Sequence, residues 1–396
     1  MIKPISPVRS AISIDGLVAI ADRAQGVLMN LRDDLLEPWP RKLSPVVTGT
    51  RLASLCKIDR NKLNTLCFQG KIPSGTPKGN GRSRVFTMEE AQSITRQIGP
   101  TKRRPDGAKG IIISVGNFKG GVGKTTTTFA LAQGFTLHGH KVCIIDLDPQ
   151  ASTTTLAGYV PDAEVDESMT VMPVVYGDAP DLRNAPVPSY WPGLDIIPAS
   201  PSLFGADYFL PNKQASDPDF EFWRILDIGL EPLRHTYDII LIDTPPTLSY
   251  LAIAAFMATD GVIIPLPPET LDYASSTQFF RQFAELFMTM RGNRDVQKEF
   301  DFMRIVLSKV KTAAATTDIV KTWIRQTYPE LLASAELPET DIVKNASAEF
   351  KTLYDLSSYD GSVRTFNRAL EAFDAVVDEI EAQVQATWAH RTKVEL

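Results

Sequence analysis

Gly116-Asn117-Phe118-Lys119-Gly120-Gly121-Val122-Gly123-Lys124-Thr125-Thr126 joins a short apolar run, Ile111 to Val115, to a segment from Thr125 to His138 in which Phe129, Ala132 and Phe135 recur with helical spacing. The order strand, glycine loop, helix has a chemical consequence. Glycines let successive backbone N–H groups turn inward around one anion, and the helix that follows adds the positive end of its dipole. Lys124 supplies a full charge for terminal phosphate oxygens, and Thr125 offers a hydroxyl to a magnesium ion. The stretch therefore reads as a nucleotide phosphate site made by Lys119, Gly120, Gly121, Val122, Gly123, Lys124, Thr125 and Thr126.

The usual spacing of such a loop puts a glycine where this chain has Phe118, and it carries a second lysine, Lys119, directly before the double glycine. KGGVGKTT resembles the deviant Walker A motif of the ParA/MinD family of ATPases over the whole string. The resemblance implies that Lys119 reaches across a dimer interface to the partner's nucleotide phosphates.

Two further strand ends carry carboxylates. Lys141 to Leu147 is an apolar run that closes on Asp146-Leu147-Asp148-Pro149-Gln150, and Tyr237 to Ile242 closes on Asp243-Thr244-Pro245-Pro246, about 120 residues after the loop. Carboxylates at the carboxyl ends of parallel strands face the ligand crevice, where they hold magnesium-bound water or orient the attacking water. DxDPQ is similar to the family's switch I and IDTPP to its switch II. Thr125, Asp146 and Asp243 are accordingly expected at magnesium, and Lys119, Lys124, Asp146, Asp148 and Asp243 in catalysis. The spacing does not separate the roles of Asp146 and Asp148.

The 396-residue chain has an ordinary hydrophobic fraction, 43%, enough for two or three domains. It lacks an apolar run of about 18 residues and the features of a signal peptide, so a cytoplasmic protein with no membrane partner is expected. Cys56, Cys67 and Cys143 have neither zinc nor disulfide spacing and read as structural thiols. Net charge is −6, but residues 41–109 hold 15 Lys and Arg against 4 Asp and Glu, a local +11, which leaves −17 for the remainder. That segregation suggests a basic module facing nucleic acid attached to an acidic one.

Residues 11–36 read as one amphipathic helix, with Ile14, Leu17, Ala21, Ala24, Leu28, Leu31 and Leu35 at heptad-like intervals and Pro38 and Pro40 beyond its end. It packs on its own domain or on a second subunit. Thr50 to Cys56 and Arg60 to Phe68 are two short helices around a turn, with Asp59 as an N-cap. Gly70 to Phe86 reads as a hairpin, and Thr87 to Glu90 opens another helix with a capping box. The string from Leu52 to Ile94 is similar to the winged helix of MerR-like regulators. On that likeness Arg60, Asn61, Lys62 and Asn64 meet the major groove, and Lys78, Arg82 and Arg84 meet phosphates or the minor groove. Residues 99–110 have the composition of a linker.

The expected architecture is a doubly wound, mostly parallel α/β P-loop ATPase domain over residues 111–396, preceded by an N-terminal dimerisation helix (1–40), a winged helix-turn-helix (41–98) and the linker (99–110). The resemblance implies a partition ATPase that uses ATP and Mg2+, turns over to ADP, forms a homodimer and binds non-specific DNA. It further implies a ParB-like centromere-binding partner, residence on the nucleoid, and repression of its own operon at a specific operator. Lys351, with Lys309, Lys311, Lys344, Arg364 and Arg368, are candidates for the non-specific DNA contact. The competing reading is a nucleotide-gated transcriptional repressor without a partition role. A MinD-like membrane switch, which needs a C-terminal amphipathic helix rich in Lys, Arg and large apolar residues, is disfavoured because the ending Trp388 to Leu396 is short for one, a nitrogenase-type iron protein by the cysteine positions, and a dinucleotide dehydrogenase by the absence of GxGxxG.

Overall fold

The computed structural model describes residues 12–35, 42–78, 83–294, 296–311, 315–357 and 362–394. The chain divides into two compact units, residues 1–43 and 44–396. The first contains helix α1 (Ile14–Leu35), with Asp15 in its first turn, where the dipole favours an anion. Ile14, Leu17, Val18 and Val27 are exposed along it. Pro38 and Pro40 lie outside the described residues.

The second unit opens with β1 (Val47–Thr48), α2 (Gly49–Leu55), α3 (Arg60–Phe68), β2 (Thr76–Lys78), β3 (Ser83–Phe86) and α4 (Met88–Ile98). Strand β3 lies between β1 and β2 and runs antiparallel to both. Local chemistry sets these boundaries. Thr48 accepts from the Arg51 N–H, Asp59 accepts from the Lys62 N–H at 2.9 Å, and Thr87 and Glu90 close a reciprocal capping box. Each cap satisfies a helix-end donor and contributes about 1 kcal/mol. Leu52, Leu63, Phe86 and Ile94 fill the interior, and their core is continuous with that of the following α/β region.

That region is built on one eight-stranded sheet. Its strands are β4 (Ile111–Val115), β5 (Val142–Asp146), β6 (Val187–Pro188), β7 (Leu194–Ile197), β8 (Ile239–Asp243), β9 (Gly261–Leu266), β10 (Phe302–Val310) and β11 (Leu332–Pro338). The spatial order is β11-β10-β9-β4-β8-β5-β7-β6, and every neighbouring pair is parallel except β6–β7. Central strands such as IIISV and IILID are buried throughout, as required when helices cover both faces. Alternation divides them. Ile111, Ile113 and Val115 pack with α5 (Lys124–Leu137) on one face, whereas Ile112 packs on the other. Further helices include α6 (Ser152–Leu156), α7 (Tyr250–Ala258), α8 (Thr270–Arg294), α9 (Ala315–Thr327), α10 (Asp341–Ala348) and α11 (Val363–Val394).

The stretch from Tyr159 to Trp191, rich in Pro and Asp, buries Val160, Val171, Met172, Val175, Leu182 and Trp191, and the Trp191 indole N–H donates to Thr136 at 2.7 Å. Strand β11 is hidden in the sequence because LASAELP has no continuous apolar run; it is an edge strand with several half-exposed positions.

Candidate nucleotide site

Strand β8 lies between β4 and β5, and the carboxyl ends of the three are neighbours. The cross-strand register sets Val115 of β4 beside Asp243 on one side and Asp146 of β5 beside Asp243 on the other. The two carboxylates therefore meet at one edge of the sheet, outside the strand ends where ligands of such sheets bind. Gly121 (φ 75°) and Gly123 (φ 96°), in the loop between β4 and α5, take the left-handed conformation that glycine adopts without steric cost. Phe118, which stands where a glycine is usual, has its ring 4.6 Å from Phe279 and 6.2 Å from Phe256, so it anchors the loop by apolar packing.

Lys124 is buried at the start of α5, and its Nζ donates to the Lys119 carbonyl at 3.1 Å. Burial lowers its pKa, while the charges of Asp243 and Asp148 oppose that. Behind the loop Asp243 collects three hydroxyls: Thr125 donates at 2.8 Å, Thr153 at 2.6 Å and Thr128 at 3.2 Å. Asp146 accepts from the Thr154 N–H at 2.9 Å and hydroxyl at 2.8 Å, and from the Asp148 N–H at 3.1 Å. Burial first, then the charge of Asp243, pushes Asp146 up to about 8. Burial also raises Asp243, against the hydroxyl bonds and Lys124. Asp148 is half-buried at the mouth of the site and accepts from the Gln150 N–H at 3.0 Å.

The Lys119 ammonium forms an ion pair with the largely buried Asp272 of α8 at 2.9 Å. Next to the loop lies a cavity of about 330 Å³, bounded by Thr126 and Thr127 of α5, Ser308 of β10, Pro338 of β11, Val343 of α10 and Phe373 of α11. The motifs did not reveal Asp272, Thr153, Thr154 or this cavity. The run Ser152 to Thr155, a row of hydroxyls just after the DxDPQ turn, was the available signal for two of them.

The residues expected at DNA are distributed differently. Arg60, Asn61, Lys62 and Asn64 lie exposed on α3, and Lys78 is exposed on β2. Arg84 is half-buried and donates to the Ser74 carbonyl, bracing the turn before β2; Arg82 lies outside the described residues. Lys351 pairs with Glu349 at 2.9 Å, Lys311 with Glu269 at 2.7 Å and Lys344 with Glu339 at 2.7 Å, while Lys309 donates to the Gly121 carbonyl. Arg364 and Arg368 lie on α11. Part of the basic charge of residues 41–109 is used internally, since Arg51, Lys57 and Lys109 pair with Asp374, Asp378 and Glu231.

A family model described as an AAA domain matches residues 110–298, the segment that holds the loop and both carboxylate strand ends. Protein SopA of Escherichia coli is 29% identical over 89% of this chain and 92% of its own length. Chromosome partitioning protein ParA of Caulobacter vibrioides is 30% identical over 62% of this chain and 87% of its own. The chain belongs to the ParA family of partition ATPases. A solved structure described as a partition protein shares the fold, with a TM-score of 0.65 at 22% identity over 93% of this chain and 98% of that one. Cobyrinic acid a,c-diamide synthase from Mycobacterium smegmatis, solved with an ATP analogue and magnesium, matches at 26% identity and a TM-score of 0.50 over 61% of this chain and 91% of that one. As a ParA-family chain the protein has a P-loop ATPase fold, and among its described residues no helix is long and apolar enough to cross a membrane.

Proposed function

We propose that the protein binds ATP with Mg2+, hydrolyses it, and uses the cycle to partition DNA. The observation that carries the reading is the meeting of Asp243, with its three hydroxyl donors, and the buried Asp146 directly behind a two-lysine glycine loop. The donor set fits magnesium: it is all oxygen, from Thr125, Asp146 and Asp243, and two buried carboxylates whose pKa values are raised by burial are the groups a divalent charge would stabilise. When bound, Mg2+ neutralises charge on the transferring phosphate.

The chain's own residues do the rest. Backbone N–H groups from Gly120 to Thr126 hold the phosphates, and Lys124 takes the terminal oxygens. Asp148, more exposed than Asp146 and placed at the mouth, orients the attacking water. The cavity between Pro338 and Phe373 receives the base. Lys119 leaves Asp272 and reaches the phosphates of a second subunit, giving a homodimer, and the exposed apolar positions of α1 supply a further self-contact.

The module of α2, α3, α4 and the β2–β3 hairpin acts as a winged helix-turn-helix. Arg60, Asn61, Lys62 and Asn64 read the operator, and Lys78, Arg82 and Arg84 serve the wing. Lys351 and its basic neighbours contact DNA without sequence preference in the ATP form. A ParB-like protein stimulates turnover, the free or ADP form represses the operon, and the protein works in the cytoplasm on the nucleoid.

Mobility shifts on random DNA and on the protein's own upstream DNA, with ATP, with ADP and with neither, test this reading. Random DNA is expected to shift with ATP·Mg2+ alone, and upstream DNA with ADP or no nucleotide. Upstream binding with no ATP-dependent binding to random DNA would leave a transcriptional repressor and remove the partition role.

A further inference from the structure

His138 caps the carboxyl end of α5, at the opposite end of that helix from Lys124 and about 20 Å along it. There it meets Asp378 and Glu381, one turn apart on α11, and each of the three brings a ligand atom within 4.8 Å of the others. The imidazole lies between the two carboxylates: Nδ1 is 3.1 Å from Glu381 Oε1, and Nε2 is 3.7 Å from Asp378 Oδ1. Two donors bound to one zinc-sized ion in a tetrahedral set are about 3.3 Å apart, so both spans are close to what a shared ion needs. Neighbouring groups hold the carboxylates in place. The His140 Nε2 lies 2.8 Å from Glu381 Oε1, and the Thr101 hydroxyl donates to Glu381 Oε2 at 3.0 Å. His140 is buried and its Nδ1 has no hydrogen-bond partner among the described residues, which puts its proton on Nε2, toward Glu381. The Lys57 ammonium sits 3.2 Å from Asp378 Oδ2 and leaves Oδ1 to face the histidine.

We propose that His138, Asp378 and Glu381 form a binding site for a divalent transition ion of the Zn2+ class, separate from the nucleotide loop. One imidazole and two carboxylates suit zinc, and the imidazole selects against Mg2+ and Ca2+, which take oxygen ligands. His140 and Thr101 then act as the outer donors that orient a metal-binding carboxylate. Asp378 is exposed over 45% of its side chain, so an ion can enter from solvent and keep water in its remaining position. The ligands come from α5 and α11, and their supports from Lys57 after α2 and Thr101 of the segment joining the N-terminal module to the sheet. An ion held there ties these four segments together and stabilises the folded chain, because the unfolded chain has no assembled site.

Equilibrium dialysis against Zn2+ tests the site, with the full chain free of nucleotide and of any purification tag and with Mg2+ in excess. Wild type, His138→Gln, Asp378→Asn and His235→Asn are compared, and melting temperatures are taken with Zn2+ and with a chelator. Wild type is expected to take up one Zn2+ per chain. His138→Gln and Asp378→Asn should each weaken that uptake about tenfold or more, and His235→Asn, which alters an exposed histidine outside the cluster, should stay within about twofold of wild type. Zn2+ should raise the melting temperature of wild type and raise that of Asp378→Asn less. Asp378 is exposed, so its variant keeps the test valid even where His138→Gln fails to fold. No uptake by wild type, uptake by Asp378→Asn equal to wild type, or a loss in His235→Asn as large as in Asp378→Asn would overturn the proposal.

Discussion

Lys119 and Lys124 are five residues apart and do different things in the folded chain. Lys124 is buried against the loop, whereas Lys119 sits on Asp272. Lys124→Ala is expected to abolish ATP binding measured by calorimetry, and Lys119→Ala to spare binding while hydrolysis falls by about a hundredfold, as for loss of a charge aimed at the transition state. Equal losses of affinity would remove the distinction. Asp146 makes the stability of the empty protein depend on pH. Its pKa is raised from 3.8 to about 8, so between those values the folded protein holds a proton that the unfolded chain has released. Stability of the empty protein from this group is present below about 4 and is lost as pH rises toward 8. Asp146→Asn is expected to raise the melting temperature of the empty protein at pH 8 relative to wild type, with a clearly smaller rise at pH 5, while turnover is lost. A melting difference that is the same at both pH values would contradict the assigned cause.

The N-terminal module is joined to the ATPase by specific contacts between elements. Arg51 of α2 forms a two-pronged pair with Asp374 of α11, Asp374 also accepts from the Tyr354 hydroxyl at 2.9 Å, and Gln92 of α4 donates to the Pro192 carbonyl at 2.7 Å. Asp374 follows Phe373, which lines the cavity beside the glycine loop, so one helix touches both that cavity and the module. Arg51→Met is expected to cost about 2–3 kcal/mol in urea unfolding, because it leaves Asp374 half-buried with its charge uncompensated; a cost below about 0.5 kcal/mol would show that the pair contributes little. Nearby, Glu381 of α11 accepts from His138 at 3.1 Å and His140 at 2.8 Å. Burial alone would raise its pKa, yet these two partners hold it at about 2, below the ordinary 4.5. That stability is present above about 4.5 and lost as pH falls through about 2, so Glu381→Gln should flatten the acid limb of unfolding followed by circular dichroism. An acid limb identical to wild type would contradict it. Much of this architecture was legible in sequence, and for physical reasons. Strands such as IIISV and IILID are apolar throughout because both faces are covered, and the helices of the module announce themselves by their caps at Asp59 and Thr87. The seam was not legible, because a basic residue such as Arg51 reads the same whether it faces solvent or a carboxylate more than 300 positions away. Asp272 escaped for the same reason: its meaning depends on where α8 begins relative to the loop.

In the whole molecule, the sheet sets Asp146 beside Asp243 at the carboxyl ends of its central strands, Thr125 of the helix that Lys124 opens donates to Asp243, and the chain belongs to a family of partition ATPases. On the proposed function, a complete site takes its phosphate loop and Lys124 from one subunit and Lys119 from the other. Subunit mixing tests it most directly. Lys119→Ala and Lys124→Ala proteins, each inactive alone, are mixed in equal amounts with ATP, Mg2+ and DNA, and phosphate release is measured. In a mixed dimer the Lys119→Ala subunit still binds ATP through Lys124 and receives an intact Lys119 from its partner. Turnover is therefore expected to return to about a quarter of the wild-type rate, since half of the dimers are mixed and each holds one complete site. A mixture as inactive as its two components would contradict the account, placing both lysines in the same subunit's site.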